Sequence, residues 1–203
     1  PASPSSGNSI AASMTASGGF PAGPTKLNYA VYVSNGPRLN TTDPDRAGSL
    51  EFDNNVDLNN NKAVGTRIGF LPITPLEVGY SFQYAKVGAD VDASADLHAV
   101  DLNYVRDSNV LSGFIDIKGQ WVWSQVSDVT YDTGSGPFTF KDRRNGGYIQ
   151  LAYRPSKVGN KFLQNLEGIS RWDMIDNPSG APTESWSPLP TASTWSIVIS
   201  WPT

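Results

Sequence analysis

Few residue types in this chain could do covalent or metal chemistry, and their spacing argues against most of it. The single histidine is His98, and there is no cysteine. A Ser/His/Asp hydrolase would have to use His98, yet its neighbours place it on the apolar side of a strand beside Val100, where a lone imidazole is structural or interfacial. A zinc site needs several His or Cys ligands, which the chain lacks. Calcium has one candidate. Asp53, Asn55 and Asp57 set oxygen ligands at alternate positions, as an EF-hand loop begins. The glycine due at the sixth position is Leu58 and the glutamate due at the twelfth is Val64, so the stretch reads as a solvated polar loop. Asp90, Asp92 and Asp96 read the same way. No spacing singles out a carboxylate pair for glycoside hydrolysis. No catalytic residue, metal or cofactor is assigned, and the chain is read as a non-enzyme.

The remaining polar residues must be placed by the elements that carry them. Lys62–Lys86 sets the pattern. Val64, Thr66, Ile68 and Phe70 oppose Gly65, Arg67 and Gly69; Leu76, Val78, Tyr80, Phe82 and Tyr84 oppose Glu77, Gly79, Ser81, Gln83 and Ala85. Period-two alternation predicts two strands of about ten residues, reversed at Pro72-Ile73-Thr74-Pro75. Further strands are expected at Leu27–Ser34, Ala95–Arg106, Leu111–Gln125, Arg144–Arg154, Leu166–Ile175 and Thr194–Trp201, about eight in all. Residues 1–26 are small, polar and rich in Gly, Pro and Ser, and read as a linker or poorly ordered segment, or as a poor strand around Ile10–Phe20. Residues 27–203 form one domain. Longer loops fall mostly at one end of the strands and tighter turns at the other, with Pro155–Gln164 longer than that rule requires.

These features predict an all-β fold, an antiparallel up-and-down transmembrane β-barrel. The charged residues on the small or polar faces, with Gln83, would line its lumen: Arg67, Glu77, Gln83, Asp101, Asp116, Lys118, Arg144, Glu167, Arg171 and Asp173. Aromatics near strand ends would form an interfacial girdle: Phe70, Tyr84, Tyr104, Trp121, Trp123, Tyr153, Trp195 and Trp201. Arg67, Glu77 and Gln83 are expected to face inward, Tyr80 and Phe82 lipid. A net charge of -4 with no basic run argues against nucleic acid. No apolar run is long enough for a transmembrane helix. The alternative is a soluble β-sandwich that binds carbohydrate, with some of the six tryptophans, Trp186 among them, stacking on sugars.

The stretches Asn28-Tyr29-Ala30-Val31-Tyr32-Val33-Ser34-Asn35-Gly36-Pro37 and KAVGTRIGFLPITPLEVGY from Lys62 resemble porins of the phosphate-selective type and their wider Gram-negative relatives. Leu166–Asp173 with Asp176-Asn177-Pro178 is similar to a strand pattern common there. The resemblance implies a passive channel for small hydrophilic solutes or ions in the outer membrane of a Gram-negative bacterium. It implies contact with membrane lipid and lipopolysaccharide, with assembly as a homotrimer left open. Family members are typically sixteen-stranded and about twice this length, ending on an aromatic residue. This chain ends Trp201-Pro202-Thr203, so a partial chain is expected. Its mixed lumen charge departs from the Arg and Lys ladders of phosphate-selective members, and phosphate selectivity is not carried over.

A row of small residues on the inward side, Gly65, Gly69, Gly79, Ser81, Ala85, Ala99, Gly146 and Ala152, would underfill a closed eight-stranded barrel. It suits a wide lumen or a wall against which a loop folds. The strands Leu27–Ser34 and Thr194–Trp201 are accordingly expected to be unpartnered edges.

Overall fold

A computed structural model of the chain describes residues 13–52, 62–88, 91–178, 180–181 and, for the backbone alone, 191–200. The chain is all-β. Among the described residues its strands are β1 (Met14–Ala22), β2 (Thr25–Asn35), β3 (Arg38–Leu39), β4 (Leu50–Glu51), β5 (Lys62–Ile73), β6 (Leu76–Lys86), β7 (Ser94–Ser108), β8 (Gly113–Val126), β9 (Tyr131–Asp132), β10 (Pro137–Phe138), β11 (Arg143–Arg154), β12 (Glu167–Asp176) and β13 (Thr191–Ser200), and the one short helix among them is α1 (Lys161–Gln164). Nine of the strands make a single antiparallel sheet in the order β1-β2-β5-β6-β7-β8-β11-β12-β13. The pairs β3–β4 and β9–β10 are two-stranded ribbons within the long loops.

Several sequence expectations are refined. Of the two readings of 1–26, a linker or a poor strand around Ile10–Phe20, the structure has a strand: β1 pairs along its length with β2 from Met14↔Val33 to Ala22↔Thr25. The reversal falls at Gly23, whose φ of 65° is the left-handed conformation that glycine adopts without a Cβ clash. Sparse apolar content concealed a strand held by backbone bonds. Leu27–Ser34 is therefore not an edge, and the sheet has one long strand more than the eight expected. The edges are β1 and β13, and among the described residues no ladder joins them.

The turn after β5 is also tighter than expected. Thr74 and Pro75 make the reversal, while Pro72 stays within β5 at a register shift between Phe70 and Ile73. A bulge leaves one residue unpaired, which suits a residue with no N–H.

Loop lengths alternate along the meander. Short turns join β1 to β2, β5 to β6 and β7 to β8; long excursions follow β2, β8 and β12 at the other end, with a medium one, 87–93, after β6. The longer connection from β11 to β12 contains α1, capped by Asn160, whose side chain accepts from the Phe162 and Leu163 amides.

The hydrophobic core lies at the loop end. Ala63, Ala85, Ala95 and Val126 stand in one row across β5, β6, β7 and β8. Leu39 and Ala47, Val87 and Ala93, and Val129 and Tyr131 pack on that row from the excursions after β2, β6 and β8. The Leu39 amide donates to the Val87 carbonyl at 2.8 Å, tying the first two excursions together. Each buried leucine or valine side chain here contributes about 1.5–3 kcal/mol, and each alanine methyl about 0.8 kcal/mol.

Candidate functional site

The two faces of the sheet differ in chemistry. On one, rows of apolar side chains run from strand to strand: Tyr29, Ile68, Tyr80, Val100 and Trp121 in one register row, Leu27, Phe70, Val78 and Leu102 in the next. These side chains are uncovered; Ile68 and Ile149, in mid-strand, are each 52% exposed. His98 lies on this face between Phe82 and Trp123. Its ring stacks on Trp123 at 5.4 Å, and its Nδ1 is 2.7 Å from the Tyr80 hydroxyl.

The opposite face is polar. By register, every charge expected to line a lumen falls on it. Gly69, Gly79, Asp101, Gln120, Tyr148 and Asp173 form one row; Glu77, Asn103, Lys118, Gln150 and Arg171 form the next. Asp116, Arg67, Gln83, Arg144 and Glu167 share the same side of their strands.

The centre of this face is Arg67 on β5. Its guanidinium donates to Glu77 Oε1 on β6 at 3.0 Å and to Asp101 Oδ2 on β7 at 2.6 Å. Asn28 on β2 donates to the same Glu77 oxygen at 3.2 Å. The cluster lies flat over Gly69 and Gly79. A Cβ at Gly69 would come 2.0 Å from Asn28 Oδ1, and one at Gly79 would come 2.5 Å from Arg67 Nη2. Tyr32 repeats the arrangement towards the loops: its hydroxyl donates to Gln83 Oε1 at 2.8 Å, and its ring fills the space over Gly65. The small residues thus clear room for long polar side chains, or, like Ala85, form a wall on which loops fold.

Two more cations continue the stripe. Lys118 pairs with Asp116 at 2.9 Å. Arg171 pairs with Asp173 at 2.7 Å and lies 3.9 Å over the Tyr148 ring.

Above the stripe sits the loop cap. Asp142, 3% exposed, accepts from Arg144 Nε at 3.0 Å and from the Tyr131 hydroxyl at 3.3 Å. Arg144 also donates to Asn177 Oδ1 at 3.1 Å, reaching the excursion after β12. Tyr131 stacks on Phe140 with ring centroids 4.9 Å apart. Gly48 fits against Phe140 and Asp142 at a φ of 87°, where a side chain would be both strained and obstructed. Burial pushes the Asp142 carboxyl up, opposed by Arg144 and Tyr131. Burial, and then Asp142 itself, pushes the Tyr131 phenol up. Asn28, Tyr32, Tyr131 and Asp142 were not singled out from the sequence. Each acts through a partner far along the chain or inside a loop, where no periodicity marks it.

The aromatic expectations divide. Phe70, Tyr104 and Tyr153 lie on the apolar face towards the turns, and Tyr84, Trp121 and Trp123 lie on it towards the loops. Trp195 stands opposite Trp172 in the β12–β13 ladder. Trp201, Trp186, Asp90 and the calcium candidate Asp53, Asn55 and Asp57 lie outside the described residues. Asp92 lies 3.6 Å from Lys86. Among the described residues no group of three or more His, Asp or Glu could hold a metal ion.

Compared with known proteins, the chain matches no family model, no curated protein and no solved structure.

Proposed function

We propose that this sheet is the wall of a transmembrane β-barrel in the outer membrane of a Gram-negative bacterium, and that it forms a passive path for small hydrophilic solutes. The observation that carries the reading is the inversion of the two faces. Apolar side chains stand uncovered across the sheet from β2 to β11, while charges pair on the other side. A soluble antiparallel sheet covers its apolar face, and soluble monomers rarely expose contiguous apolar patches above a few hundred Å². Lipid on one side and water on the other satisfy both faces.

The placement of the aromatics supports the same reading. From Phe70 to Tyr104 to Tyr153, each step crosses two strands and drops one same-face position towards the turns. Tyr84 to Trp123 makes the same step near the loops. With about 3.3 Å per residue and about 4.8 Å between strands, that slant is about 35°. Barrel strands tilt by about 35–45° in a membrane, which would bring slanted lines of this kind level with the lipid interfaces. The main strands, from 9 residues in β1 to 15 in β7, suit the roughly 9–11 residues that a tilted crossing needs.

The experiment is membrane fractionation of the expressed chain, followed by electrophoresis with and without boiling. Extraction with detergent and heat-modifiable migration are expected. A freely soluble monomer would leave the uncovered face unexplained by lipid and would end this reading.

A further inference from the structure

Resting on the channel reading, we propose that the polar face passes small cations in preference to anions. Its mid-face positive groups are already occupied, while Lys26 and Arg154, at the turn end of the same face, form no salt bridge among the described residues. Arg67 is held between Glu77 and Asp101, Lys118 by Asp116 and Arg171 by Asp173. At the loop end Arg144 is held by buried Asp142. An anion would have to displace a carboxylate from one of these cations, in geometries that already supply charge-assisted hydrogen bonds.

A cation meets a different surface. Along the stripe, the carboxylates of Glu77, Asp101, Asp116, Glu167 and Asp173 outnumber Arg67, Lys118 and Arg171. Each ionised carboxylate has about four acceptor sites, and a single guanidinium fills only some of them. Glu167 forms no salt bridge among the described residues. The backbone adds a second constraint. With glycine at positions 69 and 79, the Arg67 head lies along the wall between its two carboxylates. A guanidinium projecting into the path would present a free fork to anions. This one is spent on the wall, and the surplus of carboxylates at mid-face leaves the field there negative. Fixed rings of Asp and Glu favour cations by that means.

The test is the reversal potential of the full chain in planar bilayers across a tenfold KCl gradient. Permeability to K⁺ severalfold above that to Cl⁻ is expected. The triple substitution E77Q/D101N/E167Q should bring the ratio to parity or reverse it, because Arg67 then loses both charged partners. Arg67→Gln should raise it. High salt should shrink the wild-type preference, since the Debye length falls to about 3 Å at 1 M. Conductance without cation preference, or a triple variant with unchanged selectivity, overturns this inference and leaves the channel intact. Absence of conductance in every preparation overturns both.

Discussion

Asp142 and Arg144, two residues apart, meet through a 3.0 Å hydrogen bond at the start of β11, with the carboxylate buried beneath the loops. The pair joins structures distant in sequence. Asp142 takes a second hydrogen bond from Tyr131 in the β9 ribbon, and Arg144 gives one to Asn177 beyond β12. The loop cap is therefore pinned to the sheet at a charged point as well as through its apolar contacts.

Acidity should favour the fold through Asp142, because protonation relieves the cost of burying its charge. Burial raises the Asp142 carboxyl above its ordinary 3.8 in the folded protein. Between the two values the folded chain binds more protons than the unfolded chain. The stability this group contributes is complete below the ordinary value and is lost as pH rises through the raised one. The variant Asp142→Asn lacks this component. The difference in melting temperature, wild type minus D142N, should grow on acidification; a difference that shrinks would contradict the burial argument.

The Tyr131 ring and its hydroxyl should separate cleanly. Tyr131→Phe loses one hydrogen bond to a carboxylate and should cost about 1.5–3 kcal/mol. Tyr131→Ala empties the stack against Phe140 and should cost about 3–5 kcal/mol, as aromatic truncations in cores do. Chemical denaturation in detergent measures both. Similar costs for the two variants would mean that the ring does not anchor the cap.

Lipid facing can be read from arginine substitutions. Tyr80→Arg puts a charge on the apolar face and should cost about 2–4 kcal/mol if that position lies at mid-bilayer depth, whereas Gln83→Arg on the polar face should cost little. Refolding titrations into bilayers give both values. Equal costs would remove the basis for the facing assignment.

Gly79→Val tests the floor beneath the Arg67 cluster. The new side chain would meet Asp101 Oδ1 at 2.4 Å and Arg67 Nη2 at 2.5 Å, both ends of side chains that can swing away. The sheet should persist by circular dichroism, while conductance and selectivity change together. Unaltered ion flow would show that the cluster does not border the path.

The sheet was legible where alternation was strong. In β5, β6, β7 and β8 the sequence separates Ile68, Tyr80 and Val100 from Arg67, Glu77 and Asp101, and a period of two admits one assignment of faces. β1 was obscure because Gly18 and Gly19 interrupt any apolar periodicity; its evidence is the ladder to β2, a long-range fact. Pairing was illegible for a similar reason. Arg67 and Asp101 share a face by period alone, but their contact depends on the register of three strands. The cap escaped notice because Tyr131 and Asp142 sit in a stretch with no repeating pattern.

The row Ala63, Ala85, Ala95 and Val126 belongs at once to the wall and to the cap, and this sets how the cap can move. A lid with its own interior could turn on a hinge and keep its buried surface constant. Among the described residues this one shares its interior with the wall, since Val87 and Tyr131 belong to one buried cluster with that row. Lifting it would wet apolar surface on both sides, and hydration of such surface raises the heat capacity. Displacement of the cap would therefore resemble local melting more than rotation, and its equilibrium would curve with temperature in the way that unfolding does.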